Sequence, residues 1–292
     1  LQRKKPISIF IYTEEIYMKL GFNEATCMKR SSVEQDLSLC EKYGYDYIEL
    51  RLDMLKEYLQ RNTVSDMQAF FRSSKLKPYA FNSIEDINFR DSGQYKDLLD
   101  LFKFGCEMSQ AIENPFIIVV PTMGDDMYLK SAREVFDDSV EALHKLADIA
   151  KPYGVRLAFE PIGDKRWCVR SLDQALEIVQ AVGRDDVGLA LDSINLYLYN
   201  KLENIDTIDD VPLEKLFVYH IDDCEDLELG VLDHCHRLFP GDGVIPLEAI
   251  SKKLRAKGYD EICSVELFRP QYWEMEPEDV IRAAAEKTRR FL

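Results

Sequence analysis

Val187-Gly188-Leu189-Ala190-Leu191-Asp192-Ser193 is a short apolar run that ends on a carboxylate and a turn residue. The design recurs in Val155-Arg156-Leu157-Ala158-Phe159-Glu160-Pro161, Leu216-Phe217-Val218-Tyr219-His220-Ile221-Asp222 and Ile262-Cys263-Ser264-Val265-Glu266-Leu267. Short apolar runs bounded by turn signals are the mark of buried parallel strands. A carboxylate or imidazole at the end of such a strand is costly to bury unless it has a partner. Taken singly, each of these residues fits a solvated rim position better. Four metal-ligating side chains at the same structural point instead predict one shared divalent-metal site at Glu160, Asp192, His220 and Glu266.

Outward from these segments, strand-like runs alternate with helix-length amphipathic stretches along the chain, the pattern of a parallel sheet. Eight strands are predicted near residues 18–23, 46–51, 77–82, 115–121, 155–160, 187–192, 216–221 and 261–267. Crossover helices are predicted over 32–43, 94–112, 129–151, 171–182, 246–257 and 277–291, where apolar residues recur at three- and four-residue spacing. In the third of these, Val135, Val140, Leu143, Leu146, Ala147 and Ala150 form the expected sheet-facing stripe, and Ser171 to Gln174 resembles a capping box opening the next. Residues 194–214 are the least regular and are expected to be an active-site loop with a distorted helix. The 292 residues suffice for two ordinary domains or for one (β/α)8 barrel, which typically takes about 250. No linker, low-complexity tract or charge shift breaks the alternation, and no GxGxxG or P-loop pattern marks an open nucleotide-binding sheet. An α/β fold of the (β/α)8 TIM-barrel class, as a single domain over 18–292, is the expectation.

Hydrophobic residues make up 46% and charged residues 31%, as in a globular protein with a large core, and no apolar run is long enough to span a bilayer. The net charge of −16 argues against nucleic acid, whose binders present a basic face. Seven scattered cysteines contain no CxxC and cannot all pair, so a cytoplasmic setting is expected. Residues 1–17 contain a basic start and the apolar run Ile7 to Tyr12, a faint echo of a signal peptide. Glu14-Glu15 follows where small residues would precede a cleavage site, so an N-terminal extension is the preferred reading.

If the eight units close into a barrel, the ends of strands five to eight meet at its C-terminal mouth, where such barrels place their active sites. Three carboxylates and one imidazole suit Mn, Mg or Co, and Zn also fits; ligand type leaves the ion's identity open. A second zinc cluster at His234-Cys235-His236 with Cys224 is not expected, because alternating residues on one loop do not converge on an ion and no second pair completes the site.

Phe159-Glu160-Pro161, Leu191-Asp192-Ser193, Tyr219-His220-Ile221-Asp222-Asp223, Pro240-Gly241-Asp242-Gly243 and Val265-Glu266-Leu267-Phe268-Arg269-Pro270 resemble the xylose-isomerase-like TIM barrels, a family that includes sugar isomerases, 3-epimerases and endonuclease IV. Within it the likeness is nearest to the inosose (2-keto-myo-inositol) isomerases of inositol catabolism, and it runs from Met18 almost to the end. The resemblance implies one divalent ion held by Glu160, Asp192, His220 and Glu266, and the two glutamates as acid and base on opposite faces of a polyol or sugar substrate. It implies an isomerase that moves a carbonyl through an enediolate; a ketose 3-epimerase or a non-catalytic sugar-binding barrel would share the same site. A homo-oligomer is compatible with it.

Family members commonly carry His three residues after the sixth-strand Asp, where this chain has Asn195, which cannot take a proton at neutral pH. Arg237 falls where the resemblance puts a substrate-contacting arginine; an ion pair with acidic loop residues is the alternative. Trp167 could stack on the apolar face of a ring, or anchor its loop. Glu49, Arg51 and Asn82, at the ends of strands two and three, could reach substrate hydroxyls or belong to a barrel hydrogen-bond network.

Overall fold

In a computed structural model that describes residues 17–292, eight parallel strands close into one barrel. They are Lys19–Asn23, Tyr47–Arg51, Lys77–Ile84, Phe116–Val119, Arg156–Phe159, Val187–Asp192, Leu216–Ile221 and Ile262–Val265. Each pairs with its neighbours in sequence, and the eighth returns to the first with Lys19 opposite Ile262. The expected (β/α)8 barrel is the observed fold. All but one residue of the proposed N-terminal extension lie outside the described residues.

The six expected helices form as Val33–Lys42, Ser92–Ile112, Ala132–Ala150, Leu172–Val182, Leu247–Lys257 and Pro277–Thr288. Ala132–Ala150 buries Val135, Ala142, Leu143, Leu146, Ala147 and Ala150. Ser171 Oγ accepts from Gln174 N, but Gln174 Oε1 turns to Arg170 N (3.0 Å), so only half of the anticipated capping box closes there. Between strands two and three the chain adds Leu52–Tyr58 and Val64–Ser73, which went unpredicted. The second carries its own signal, a capping box between Thr63 and Asp66. Residues 194–214 are more ordered than expected: a helix, Ser193–Asn200, starts directly at Asp192, followed by a short turn of helix at Thr207–Asp210.

The core has two parts. A large annulus of apolar residues fills the space between strands and helices. A smaller cluster inside the barrel includes Tyr79, Phe116 and Phe217, whose rings stack at centroid distances of 5.1 and 5.0 Å near the strand N-termini. Gly188 makes room for this floor, because a Cβ there would meet the Phe217 ring at 2.6 Å. With aromatic rings filling that end, polar side chains concentrate at the C-terminal mouth.

Candidate metal centre

Each of the four predicted ligands stands at or next to the C-terminal end of its strand. Glu160 and Glu266 immediately follow the fifth and eighth strands, Asp192 closes the sixth, and His220 is next to last in the seventh. Because strands five to eight are neighbours in the barrel, the four side chains converge. One ligand atom from each lies within 4.8 Å of the others, and all four residues are buried.

Hydrogen bonds from the rest of the barrel hold these groups. Glu266 Oε1 accepts from Asn23 Nδ2 (2.9 Å) and Asn82 Nδ2 (2.8 Å), which reach it from the first and third strands. Glu266 Oε2 accepts from Arg237 (2.6 Å). Asp192 Oδ1 caps the following helix by accepting from Asn195 N (2.8 Å), which fixes its rotamer and leaves Oδ2 to Arg237 (2.8 Å). His220 Nδ1 is 3.2 Å from Glu160 Oε1, and its Nε2 is 3.1 Å from Glu49 Oε2. Arg237 also pairs with Asp222 through Nε at 2.9 Å. It is thus a buried cation shared among Asp192, Asp222 and Glu266.

The electrostatics call for a further positive charge. Five carboxylates (Glu49, Glu160, Asp192, Asp222 and Glu266) are buried here, against Arg237 and the His220 imidazole. Burial pushes the Glu160 and Asp192 carboxyls up, and the charges of His220 and Arg237 respectively offset this only in part. Glu266 faces both cations; their attraction outweighs its burial and brings it down to about 2. Burial alone would lower His220, but Glu49, Glu266 and Glu160 lift it well above its ordinary value. Five buried carboxylates against two cations leave a negative surplus that protonation or a bound cation must offset. Three carboxylates and one imidazole are a suitable donor set for a divalent metal, so the residues present fit the group.

Beside the cluster lies a cavity of about 350 Å³, a size that suits a small polyol. Asn82, Glu160, Trp167, Asn195, Arg237 and Glu266 all line it. Trp167 is half-buried and stacks on His234 at 5.6 Å, so it is at once a wall of the cavity and an anchor between two loops. Asn195 Nδ2 reaches Glu160 Oε1 at 3.3 Å, and its Oδ1 is buried without a partner. Arg51 turns away: its guanidinium makes two 3.0 Å bonds to Asp53 and is absent from the cavity wall. Glu49 is likewise absent from that wall, facing His220 instead.

The Pro240-Gly241-Asp242-Gly243 loop is shaped by Asp223, whose carboxylate accepts from Gly241 N, Gly243 N and Ile245 N at 3.1, 2.9 and 2.9 Å. A Cβ at Gly243 would sit 2.1 Å from Cys224 O, so only glycine lets the loop close on that carboxylate. His234-Cys235-His236 and Cys224 do not gather on an ion; among the described residues, Glu160, Asp192, His220 and Glu266 are the one group close enough to hold one. Asn23, Asp222 and His234 were missed as site residues. Asn23 is the polar end of the first predicted strand and Asp222 follows His220 by two, so the strand-end rule applied to every strand would have found both.

The pattern that defines the xylose isomerase-like TIM barrels matches residues 37–291. The chain belongs to this family. Among family relatives, an inosose isomerase of Bacillus velezensis is 41% identical over 272 residues, covering 93% of this chain and 96% of the relative. An inosose isomerase of Bacillus subtilis is 39% identical over 272 residues, covering 93% and 96%. A crystal structure of the IolI protein with a bound zinc atom superposes with a TM-score of 0.89 at 37% identity, covering 94% of this chain and 99% of that one.

Proposed function

We propose that the protein is a divalent-metal-dependent isomerase of a cyclic keto-polyol of the inosose type, working by proton transfer through an enediolate. The observation that carries the reading is the convergence of Glu160, Asp192, His220 and Glu266 within 4.8 Å, with Glu160 and Glu266 lining a polyol-sized cavity, in a chain about 40% identical to inosose isomerases. An ion bound by these four residues, whether Mn, Zn, Mg or Co, would supply a Lewis acid that polarises the ketone and a neighbouring hydroxyl.

The chain's own residues do the rest. Glu160 Oε1 is engaged by Asn195 and His220, while its Oε2 carries no hydrogen bond among the described residues and is the oxygen free to take a proton. It removes the hydrogen from the hydroxyl-bearing carbon next to the ketone, and the electron pair moves into the enediolate. Glu266, fixed by Asn23, Asn82 and Arg237, lines the same cavity and pairs with Glu160 as acid and base. A proton returned to the former ketone carbon moves the carbonyl by one position; one returned to the first carbon on its other face would epimerise it. Trp167 offers an apolar surface to the ring, and Asn82, Asn195 and Arg237 offer donors to its hydroxyls.

Incubating metal-loaded protein with 2-keto-myo-inositol in D2O and following products by NMR tests the reading. A new keto-inositol carrying solvent deuterium is the expected result. Turnover of ketohexoses but not inososes would make it a 3-epimerase, full retention of the substrate hydrogen would replace proton transfer by hydride shift, and binding without product would make it a sugar-binding barrel. No helix among the described residues is long and apolar enough to cross a membrane. A cytoplasmic setting is supported by seven unpaired cysteines, and a partner set without nucleic acid by the charge of −16.

A further inference from the structure

Strands one to three each send one polar side chain towards the ligand cluster: Asn23, Glu49 and Asn82. The two amides donate to Glu266, a carboxylate that needs donors. The carboxylate among the three faces His220, the side chain with an N–H to give. Glu49 has no exposed surface and its Oε1 has no partner among the described residues, where its one side-chain hydrogen bond is the contact with His220 Nε2 at 3.1 Å. A buried carboxylate with a single bond is expensive to keep, and an apolar residue would fill that strand position more cheaply.

The effect of the contact is on the opposite ring nitrogen. An ionised carboxylate only accepts hydrogen bonds, so Glu49 requires the proton on Nε2. Nδ1 is then turned to the ligand cluster, 3.2 Å from Glu160 Oε1 and 3.7 Å from Glu266 Oε2. Which ring nitrogen of a histidine ligates is set by the hydrogen bond that the other one makes, and the partner also fixes the ring plane.

We propose that Glu49 is a positioning residue of the metal centre, which holds His220 as its Nε2–H tautomer and makes Nδ1 the ligand atom. The inference rests on the metal-dependent reading above. Glu49 does not wall the cavity, so it acts through His220 and not on the substrate.

Zinc affinity, measured by chelator competition on metal-stripped wild type, Glu49→Ala and Glu49→Gln, tests it together with 1H–15N spectra of the zinc-loaded histidine rings. Glu49→Ala is expected to bind zinc about 10- to 100-fold more weakly. Glu49→Gln keeps an oxygen that can accept from Nε2–H and should recover most of that loss. The wild-type spectrum should show His220 protonated at Nε2 and ligated at Nδ1. Wild-type zinc affinity in Glu49→Ala, or ligation through Nε2, overturns the assignment. Should Glu49→Ala fail to fold, the spectrum of the wild type and the affinity of Glu49→Gln decide it, a full 10- to 100-fold loss in Glu49→Gln overturning the rescue. A wild type that takes up no zinc overturns the metal centre itself, a result distinct from a bound metal that is indifferent to Glu49.

Discussion

The barrel mouth and the pair Glu24 and Asp36 beside the first strand both bury carboxylates, but only the mouth sets cations against them. At the mouth, Glu160, Asp192, Asp222 and Glu266 surround Arg237 and the His220 ring, a donor set suited to a dication. Just past the first strand, Glu24 is fully buried, as is Asp36 of the following helix, and neither forms an ion pair among the described residues. Glu24 Oε2 accepts from Arg51 N (2.7 Å) and Asp36 Oδ2 from Ser31 Oγ (2.9 Å), while Glu24 Oε1 and Asp36 Oδ1 have no partner. Burial, and for Glu24 also the nearness of Asp36, raises both carboxyls well above their ordinary values. At the mouth Arg237 and His220 offset part of the burial and bring Glu266 down, while Glu160, Asp192 and Asp222 stay raised. In the other no ion pair among the described residues offsets the burial, which favours the protonated form of both carboxyls.

The sharpest way to break this contrast is to remove a ligand. His220→Ala or Asp192→Ala should abolish stoichiometric metal binding and lower isomerase turnover by about a thousand-fold or more, given the several kcal/mol a bound ion supplies to developing charge. Metal analysis and turnover on the same sample check it; full activity in a metal-free variant would sink the metal mechanism. Glu160→Gln removes the proton acceptor and retains an amide oxygen as a neutral donor atom. It should lose about 10²- to 10⁴-fold in solvent-deuterium incorporation while still binding inosose, as measured by NMR exchange and by ligand titration.

Arg237→Met tests the balance of charge without replacing a ligand, although it takes one hydrogen bond from Asp192 and one from the Glu266 carboxylate. It leaves buried carboxylates uncompensated and should destabilise the metal-free protein by about 3–5 kcal/mol in urea unfolding. Added zinc should recover part of this; an equal loss with and without zinc would mean that the arginine and the ion do not share the same charge.

The smallest effect should come from the second cluster. A carboxyl raised in the folded state binds its proton more tightly there than in the unfolded chain. Its contribution is therefore fully present below the ordinary value of 4.5 for Glu24 and is lost as pH rises through the raised one. Glu24→Gln should flatten that alkaline decline and raise Tm above pH 7, by about 2–4 °C per kcal/mol recovered. Thermal scans from pH 5 to 9 check this, and a slope unchanged from wild type would show that the pair does not hold its protons.

Much of the mouth is legible in the chain itself. Glu160, Asp192, His220 and Glu266 each mark the end of an apolar run, so strand pattern and ligand identity are local features of the chain. The partners that hold them were not. Glu49 meets His220 across 171 residues of sequence, and Asn23 meets Glu266 across 243. Arg51 shows the opposite failure: it stands beside a strand end that looked competent, but Asp53, two residues on, captures it.

The alternation of eight strands with helices, and the metal-ligating residue types at the ends of four of them, are legible in the chain alone, because burial periodicity and strand-end chemistry are written residue by residue. It is barrel closure that shares Arg237 among three carboxylates, turns Glu49 to His220, and buries Glu24 and Asp36 near one another with no ion pair among the described residues. Those pairings depend on barrel closure and strand register, which set which inward side chains meet, and no spacing along the chain encodes a distance across the barrel.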